Sequence, residues 1–274
     1  MDILIYLNGT EIQFNVFPNG ETLVNGEQLL SLANESNTIS FKYESDGDLI
    51  KLMFVKRFLD DHSYSASLLI YYMPYSRMDR VEGSSVFTLK YTAQFINGLG
   101  FHKVTVIEPH SDVATALLDR SDALYPSIHL IGEVVRETGF NPEEDYLFFP
   151  DAGAQKRYSK VKGFKQLVGF KVRDFATGQI QKLDIVGDVE RRGFKAIIVD
   201  DLCSYGGTFL LSAEKLKEIG ASEVYLLVGH CEKSVHEGKI PQTNLLDRIF
   251  TTDTILEETN LTNLTIYKIG GIQL

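Results

Sequence analysis

Hydrophobic and polar residues alternate along the chain with two different periods, and each change of period marks a predicted element. Short runs with a period of two, or continuous apolar runs bounded by turn residues, predict β-strands. Runs in which apolar residues recur three and four positions apart predict amphipathic helices. Both patterns follow one another along most of the sequence, which predicts an α/β protein.

The pattern places each element. The predicted strands are Met1–Tyr6, Glu11–Val16, Thr38–Tyr43, Leu68–Tyr72, Val104–Ile107, Tyr146–Phe149, Leu167–Val172, Ala196–Val199 and Glu223–Val228. The predicted helices are Asp48–Asp60, Thr88–Leu99, Ile128–Thr138 and Leu210–Ile219. The Asn8-Gly9 pair predicts a hairpin between the first two strands. The regular pattern lapses between about Asp119 and Tyr125, and short strands and turns are expected from about Thr251 onward.

One helix–strand unit occurs twice. Phe95–His110 and Lys215–His230 share a helix, a glycine, a strand and a terminal histidine in register. Such units are common and the match could arise by chance, but it favours two similar α/β domains. We place them at residues 1–125 and 126–274, with the tail from about 252 packing back on the first domain. We expect His230 to order its own loop.

Composition narrows the classes of function. The chain has 274 residues, of which 44% are hydrophobic and 23% charged, and a formal charge of −10. This charge argues against nucleic acids and anionic membranes as partners, although it leaves room for a local basic site that binds polyphosphate. No apolar run approaches the ~20 residues that span a bilayer, so we expect a cytoplasmic protein. Cys203 and Cys231 are too few for a disulfide framework and are expected to be free thiols.

The stretch Ala196–Thr208, AIIVDDLCSYGGT, carries the clearest chemistry. Its apolar run predicts a buried strand, Asp200 and Asp201 stand where the predicted strand ends, and a Gly-Gly-Thr turn leads into a helix. Glycines let backbone N–H groups face an anion, and the start of a helix adds positive potential. The two carboxylates can accept hydrogen bonds from sugar hydroxyls or help hold a cation. A strand, an acidic end and a glycine turn also occur in α/β proteins without any ligand there.

This stretch resembles the ribose-5-phosphate-binding signature shared by type I phosphoribosyltransferases and phosphoribosyl pyrophosphate (PRPP) synthetases. Further stretches resemble PRPP synthetase motifs in the right order: FPNGE (Phe17–Glu21), PYSRMDR (Pro74–Arg80), EPHSD (Glu108–Asp112), FPDAG (Phe149–Gly153) and KVR (Lys171–Arg173). A phosphoribosyltransferase would carry the signature without this series. The chain is therefore identified as a short, divergent member of the ribose-phosphate pyrophosphokinase, or PRPP synthetase, family.

The resemblance implies two similar type I phosphoribosyltransferase-like domains, each a mainly parallel sheet flanked by helices, with ATP on the N-terminal side. It also implies an enzyme that transfers the β,γ-diphosphoryl group of MgATP to the anomeric 1-hydroxyl of ribose 5-phosphate, giving PRPP and AMP. Such a transfer depends mainly on positioning and on cancelling charge at the phosphoryl oxygens. The family further implies a homo-oligomer, a dimer or hexamer, whose ATP site is shared between subunits.

The resemblance assigns roles to individual residues. The implied ATP-binding residues are Phe17, Asn19 and Glu21, from a neighbouring subunit, together with Arg77, Met78 and Arg80. The implied Mg²⁺ ligands, directly or through water, are His110 and Asp151, and the implied catalytic residues are Lys171, Arg173 and His110. The ribose hydroxyls fall to Asp200 and Asp201, and the 5-phosphate falls to Ser204, Tyr205, Gly206, Gly207 and Thr208.

Taken alone, most of these residues have simpler explanations. The arginines of Pro74–Arg80 would pair with Asp79 and Glu82 on a solvated loop. His110 would be a hydrogen-bonded residue at the end of a strand, and Asp151 a turn residue. The basic residues of KVR carry almost no signal by themselves. Order and spacing together support the assignment.

The chain also departs from the family pattern. Ser204 and Tyr205 replace the usual Asp-Thr, Met78 replaces glutamine, Glu108 replaces aspartate and Val172 interrupts a basic triplet. A large aromatic residue beside the 5-phosphate suggests an alternative acceptor with a substituted phosphate, such as ADP-ribose, which would connect the protein to NAD metabolism. Two further alternatives are a catalytically silent regulatory paralogue and a plain phosphoribosyltransferase.

Overall fold

Alternating strands and helices build two separate sheets in the computed structural model, which describes residues 5–173 and 180–271, with backbone alone at 171–173 and 180–182. The chain divides into two compact units, Met1–Leu124 and Tyr125–Leu274. In each unit, helices flank a mainly parallel sheet, which confirms the predicted fold class. Within the described residues, no helix is both long and apolar enough to cross a membrane.

The first unit contains a six-stranded sheet and a small hairpin. Its strands are β1 (Ile5–Leu7), β2 (Thr10–Glu11), β3 (Phe14–Val16), β4 (Thr22–Val24), β5 (Asn37–Phe41), β6 (Ala66–Ile70), β7 (Val104–Ile107) and β8 (Ser121–Leu124). Its helices are α1 (Gly26–Leu32), α2 (Asp46–Asp61), α3 (Thr88–Gly98) and α4 (Asp112–Leu117). The order of the sheet is β2-β1-β5-β6-β7-β8, with β5 to β8 parallel, whereas β3 and β4 form a separate antiparallel pair.

Local sequence explains the longest helix of this unit. Ser45 and Asp48 form a capping box in which the Ser45 backbone N–H donates to Asp48 Oδ2 at 2.7 Å, so α2 begins at that point. Leu52, Val55 and Leu59 then recur at helical spacing and are fully buried against the sheet. Burying each such side chain stabilises the fold by about 1.5–3 kcal/mol.

The second unit is built on a seven-stranded sheet. Its strands are β9 (Tyr146–Phe149), β10 (Lys165–Arg173), β11 (Ile180–Val186), β12 (Phe194–Cys203), β13 (Ala221–Cys231), β14 (Arg248–Thr252) and β15 (Leu264–Tyr267). Its helices are α5 (Pro126–Thr138), α6 (Ala152–Arg157) and α7 (Gly207–Glu218), and 3-10 turns lie at Lys233–His236, Ile240–Gln242 and Ile269–Gly271. The order is β11-β10-β9-β12-β13-β14-β15, and among the described strands of this sheet only β10 and β11 pair in antiparallel fashion.

Both faces of this second sheet are covered. Ala196 and Ile198 of β12 join the core under α7, whereas Ile197 and Val199 join the core under α5 and α6. A strand buried on both faces needs apolar side chains at successive positions. This requirement explains the continuous apolar run that the sequence shows before the two aspartates.

Several predicted elements are confirmed. Asn8 and Gly9 have φ values of 52° and 82°, as a two-residue type I′ hairpin requires, and they join β1 to β2. The strands Val104–Ile107 and Tyr146–Phe149 have their predicted bounds. Both helix–strand repeats turn through a left-handed glycine, with φ 70° at Gly100 and 114° at Gly220.

Other predictions are wrong. A strand, β8, occupies the stretch where the pattern lapses. Its four half-buried residues at a sheet edge are too few to show a period. The predicted strand Glu11–Val16 is split between β2 and β3. The short helices α1, α4 and α6 were missed because six or seven residues hardly fill two turns. The strand Ala196–Val199 does not end at the aspartates but continues to Cys203, which pairs with Cys231 on β13.

Candidate active site

The two aspartates of β12 share one guanidinium group. Arg157, the last residue of α6, places Nη1 3.3 Å from Asp200 Oδ1 and 3.1 Å from Asp201 Oδ1. The Arg157 side chain is only 12% exposed, and those of Asp200 and Asp201 are 14% and 7% exposed. The structure therefore holds two adjacent carboxylates, nearly withdrawn from water, against the guanidinium group of Arg157.

The two carboxylates of this pair repel each other. Burial raises the pKa of Asp200 well above its ordinary value, and the neighbouring charge of Asp201 raises it further. Arg157 lowers this pKa, while the charge of Asp151 adds a smaller increase. Ligand groups that donate hydrogen bonds, or a bound cation, would relieve the repulsion.

Helix α6 positions the arginine. Asp151 is the N-cap of this helix, and its Oδ1 accepts a hydrogen bond from the Ala154 backbone N–H at 3.0 Å. The next residue after the helix, Tyr158, is fully buried and donates through its hydroxyl to the Asp200 carbonyl at 2.9 Å. Sequence reasoning treated Asp151 as a turn residue or metal ligand and missed Arg157. The sequence signal for Arg157 is weak: a basic residue six positions after an aspartate that can cap a short helix.

The stretch Ser204–Thr208 forms the predicted turn into a helix, and we call it the phosphate loop. Gly206 has φ 81°, a left-handed conformation that favours glycine, and α7 begins at Gly207. No side chain among the described residues caps α7, and its first turn contains no acid. The first N–H groups of this helix therefore offer an anion-binding site.

The space around the phosphate loop is uneven. A Cβ on Gly206 would stand 2.2 Å from Ile240 Cδ1. A Cβ on Gly207 would have no described atom within 4 Å apart from its chain neighbours and the backbone of its own helix. Gly207 is exposed and Gly206 is buried. The loop is thus packed closely on one side and open at the start of the helix, where a ligand would bind.

Two residues of the phosphate loop differ in their exposure. Ser204 Oγ lies 3.0 Å from Ser234 Oγ, which donates in turn to Glu232 Oε2 at 3.2 Å. The Tyr205 ring is 57% exposed. Ser204 is therefore held by the segment that follows β13, whereas Tyr205 presents an aromatic surface to solvent.

His230 is not part of this arrangement. It is 1% exposed on β13, and its Nδ1 lies 2.7 Å from Thr254 Oγ1. The two cysteines are buried free thiols, as predicted.

In the first unit, FPNGE is the turn of the β3–β4 hairpin. The Phe17 N–H donates to the Glu21 carbonyl at 2.8 Å, and Asn19 Oδ1 accepts from the Glu21 N–H at 3.2 Å. All three side chains are exposed, Phe17 by 49%. The hairpin also exposes Val16 and Leu23 by 46% and 47%, so an apolar surface surrounds the motif.

The PYSRMDR motif forms the loop after β6. Arg80 is 70% exposed and pairs with Glu82 at 2.6 Å and with Asp79 at 3.4 Å. The exposed pair with Glu82 is worth at most about 1 kcal/mol, so Arg80 can exchange it for a phosphate. Arg77 is also exposed and Met78 is 37% exposed.

EPHSD follows β7, the parallel neighbour of β6. Glu108 is 1% exposed and has φ 44°, a strained left-handed conformation for a residue with a side chain. Its N–H donates to the Leu124 carbonyl at 2.8 Å, which fixes the turn that leads to the half-buried His110. Because the carboxyl ends of parallel neighbours meet at one sheet edge, His110 and the PYSRMDR loop lie at the same edge.

The predicted catalytic pair lies at the end of a hairpin. The backbone of Lys171 pairs with Leu183, and that of Arg173 with Ile180, in the antiparallel ladder of β10 and β11. Their side chains, and the connecting residues 174–179, lie outside the described residues.

A magnesium ion would need oxygen donors from the protein. The described ranges contain no group of three or more histidine, cysteine, aspartate or glutamate side chains able to hold a metal ion. His110 belongs to the first unit and Asp151 to the second. The negative charge of Asp151 nevertheless contributes to the raised pKa of Asp200. Mg²⁺ takes few protein ligands and keeps several waters, so a carboxylate such as that of Asp151 suits it without such a group.

Comparison with known proteins agrees with this geometry. A family model described as "Phosphoribosyl synthetase-associated domain" matches residues 157–274. The ribose-phosphate pyrophosphokinase of Sulfolobus acidocaldarius is 27% identical over 263 residues, which cover 91% of this chain and 86% of that protein. The chain belongs to the ribose-phosphate pyrophosphokinase family. A second family member, from Marinomonas sp., is 30% identical over 68% of this chain and 60% of its own length.

The fold of the family is also found among solved structures. A phosphoribosylpyrophosphate synthetase from Mycobacterium smegmatis superposes with a TM-score of 0.74, covering 94% of this chain and 86% of that one. The two sequences are 21% identical. This ribose-phosphate pyrophosphokinase family member therefore keeps the family's fold despite a divergent sequence.

Proposed function

We propose that the protein is a ribose-phosphate diphosphokinase, which transfers the β,γ-diphosphoryl group of ATP to the anomeric 1-hydroxyl of ribose 5-phosphate and releases AMP. The observation that carries the proposal is the arrangement at the end of β12. Two nearly buried carboxylates are followed, through a left-handed glycine, by a helix start that no side chain among the described residues caps. Within one segment, these features match the hydroxyls and the phosphate of a single sugar phosphate.

In this proposal the sugar is bound at both ends. Asp200 and Asp201 accept hydrogen bonds from the ribose hydroxyls, which relieves the repulsion that raises the pKa of Asp200. The N–H groups at the start of α7 bind the 5-phosphate, with Thr208 beside them. Fixing both ends orients the anomeric oxygen for in-line attack.

The remaining motifs supply the nucleotide side. Arg77 and Arg80 bind the triphosphate through their planar guanidinium groups, and Met78 contacts the nucleotide. Lys171 and Arg173 interact with the migrating diphosphoryl group as charge develops in the transition state. His110 and Asp151 would hold Mg²⁺, which neutralises charge on the phosphoryl oxygens when bound.

We also propose that the protein is a homo-oligomer in which Phe17, Asn19 and Glu21 contact the ATP of a neighbouring subunit. The exposed apolar hairpin that carries them supports this assignment, because it offers a surface for a second chain. Sedimentation velocity should give a dimer or hexamer. A fully active monomer would contradict the shared site.

The test of function is a turnover assay with MgATP and ribose 5-phosphate, followed by mass spectrometry of the nucleotide and sugar products. We expect AMP and PRPP in equal amounts. Nucleotide binding without AMP release, with any ribose acceptor, would instead indicate a silent regulatory paralogue. Consumption of PRPP and a base without ATP would indicate a phosphoribosyltransferase.

One observation favours a second acceptor. Tyr205 is 57% exposed within the phosphate loop, where it could stack on a ring attached to the 5-phosphate, as in ADP-ribose. The same assay with ADP-ribose in place of ribose 5-phosphate separates the two acceptors. Efficient turnover of ribose 5-phosphate and none of ADP-ribose would eliminate the larger acceptor.

A further inference from the structure

A polar cavity of about 470 Å³ lies in the second unit, on segments that none of the family motifs includes. It is lined by two segments, residues 240–247 before β14 and residues 260–263 before β15. Its volume falls within the ~300–1,000 Å³ typical of small-molecule sites.

The lining of this cavity combines an apolar surface with planar amides. Ile240 and Leu246 are 2% exposed and, with Leu261, give the cavity its apolar part. Asn244 and Asn260 line it as well. Within the described part of the chain, the side chains of these two asparagines have no hydrogen-bond partner, and neither does that of Thr262. All three residues are exposed, so their donors and acceptors are open to a ligand at a cavity that also contains an apolar surface.

The chemistry of the lining selects a class of ligand. Among the described residues, the lining contains no arginine or lysine, and its one acid, Asp247, accepts hydrogen bonds from the Val224 N–H and from Lys217. A phosphate would lack a cationic partner there. An asparagine amide offers a donor and an acceptor side by side, which is the pattern that pairs with the edge of a nucleobase. A flat, uncharged heterocycle on an aliphatic surface fits these groups.

The cavity is also in contact with the phosphate loop. Ile240, which lines the cavity, packs so closely on Gly206 that a Cβ there would lie 2.2 Å from Ile240 Cδ1. Two residues earlier, a Cβ on Gly238 would lie 2.2 Å from the Tyr205 carbonyl oxygen. The segment 238–240 therefore touches two successive residues of the loop, Tyr205 and Gly206. A ligand that fixes this segment must also restrain the loop.

We propose that this cavity is an effector site for an uncharged nucleobase or nucleoside, and that its occupation restrains the phosphate loop through Ile240 and Gly238. The binding site follows from the cavity alone, and the consequence for sugar-phosphate binding rests on the proposed function of the loop. The two parts can be measured separately.

Binding is tested by calorimetry on the full chain with adenosine, guanosine, cytidine and uridine as probes. We expect at least one to bind, and Asn244→Ala with Asn260→Ala to weaken it by about tenfold, as the loss of two hydrogen bonds implies. Gln242→Ala is the matched control, since Gln242 is exposed on the same segment but does not line the cavity. Thr262→Val is a second variant should the double variant be unstable.

Coupling is tested by hydrogen exchange of the phosphate loop amides with and without the bound probe, which requires no catalytic activity. We expect slower exchange at residues 204–208 and a change in the affinity for ribose 5-phosphate. Absence of binding by all four nucleosides, or binding that the asparagine variants retain, would overturn the site. Binding without any change in loop exchange would overturn the effector role. Failure of ribose 5-phosphate to bind, with the loop still protected, would count against the proposed function alone.

Discussion

Removing the charge of Arg157 should destabilise the second unit, because this guanidinium compensates two nearly buried carboxylates. In Arg157→Met the aliphatic volume is largely kept, so the main loss is electrostatic. Removing one partner of a fully buried pair costs about 3–5 kcal/mol. Because Arg157 is 12% exposed, we expect a smaller loss of about 2–3 kcal/mol. For a domain of this size, that corresponds to a fall in Tm of about 5–10 °C.

The pH dependence of the stability shows that the loss in Arg157→Met is electrostatic. Without Arg157 the pKa of Asp200 in the folded state rises further above its unfolded value, so stability is lost as pH rises through that range. Thermal unfolding at several values between pH 4 and pH 8 should show a Tm deficit that is small at acid pH and grows toward pH 8. Affinity for ribose 5-phosphate should fall in the same variant, because the carboxylates lose their fixed orientation.

Lys156→Met is the matched control. It removes the same formal charge from the preceding residue, whose side chain is exposed. Equal Tm values for the two variants at pH 8, or a deficit in Arg157→Met that does not vary with pH, would refute the assignment of Arg157 to the carboxylate pair. Arg157→Lys should be intermediate, since an ammonium group retains charge but lacks the planar geometry.

The remaining predictions concern the loop, the carboxylates and the basic hairpin. Asp200→Asn should raise Tm at pH 8 and abolish turnover, and the gain should vanish at acid pH, where the raised pKa already leaves Asp200 protonated; an unchanged or lower Tm at pH 8 would contradict this. Gly206→Ala should unfold several degrees earlier than Gly207→Ala, because only the former combines positive φ with a clash against Ile240; equal melting curves would argue against the close packing. Lys171→Ala should keep ATP affinity, measured by calorimetry, and lose turnover by orders of magnitude, because its contact forms mainly in the transition state; unchanged turnover would remove Lys171 from catalysis.

The sequence was most informative where local signals were strong. The Asn8-Gly9 turn, the helix that follows Gly206 and the strand Tyr146–Phe149 all followed from residue type and spacing alone. Turn glycines and continuous apolar runs report the backbone conformation directly. The fold class followed from the alternation of these elements.

Contacts that depend on tertiary structure could not be read from the sequence. Arg157 reaches the aspartates only because a six-residue helix, too short to show a period, follows Asp151. The strand continues past Asp201 because β13 pairs with it as far as Cys231, which no local pattern reveals. The contact of Ile240 with Gly206 joins residues that are distant along the chain, and its own segment carries no motif.

The most direct test of the proposed function follows each phosphate of ATP separately. The protein is incubated with ribose 5-phosphate and ATP carrying radioactive phosphorus at the α, β or γ position, and the products are separated by chromatography. The proposal predicts that β and γ label both move to the sugar while α label remains in AMP. Transfer of γ label alone, with ADP as the nucleotide product, would contradict it.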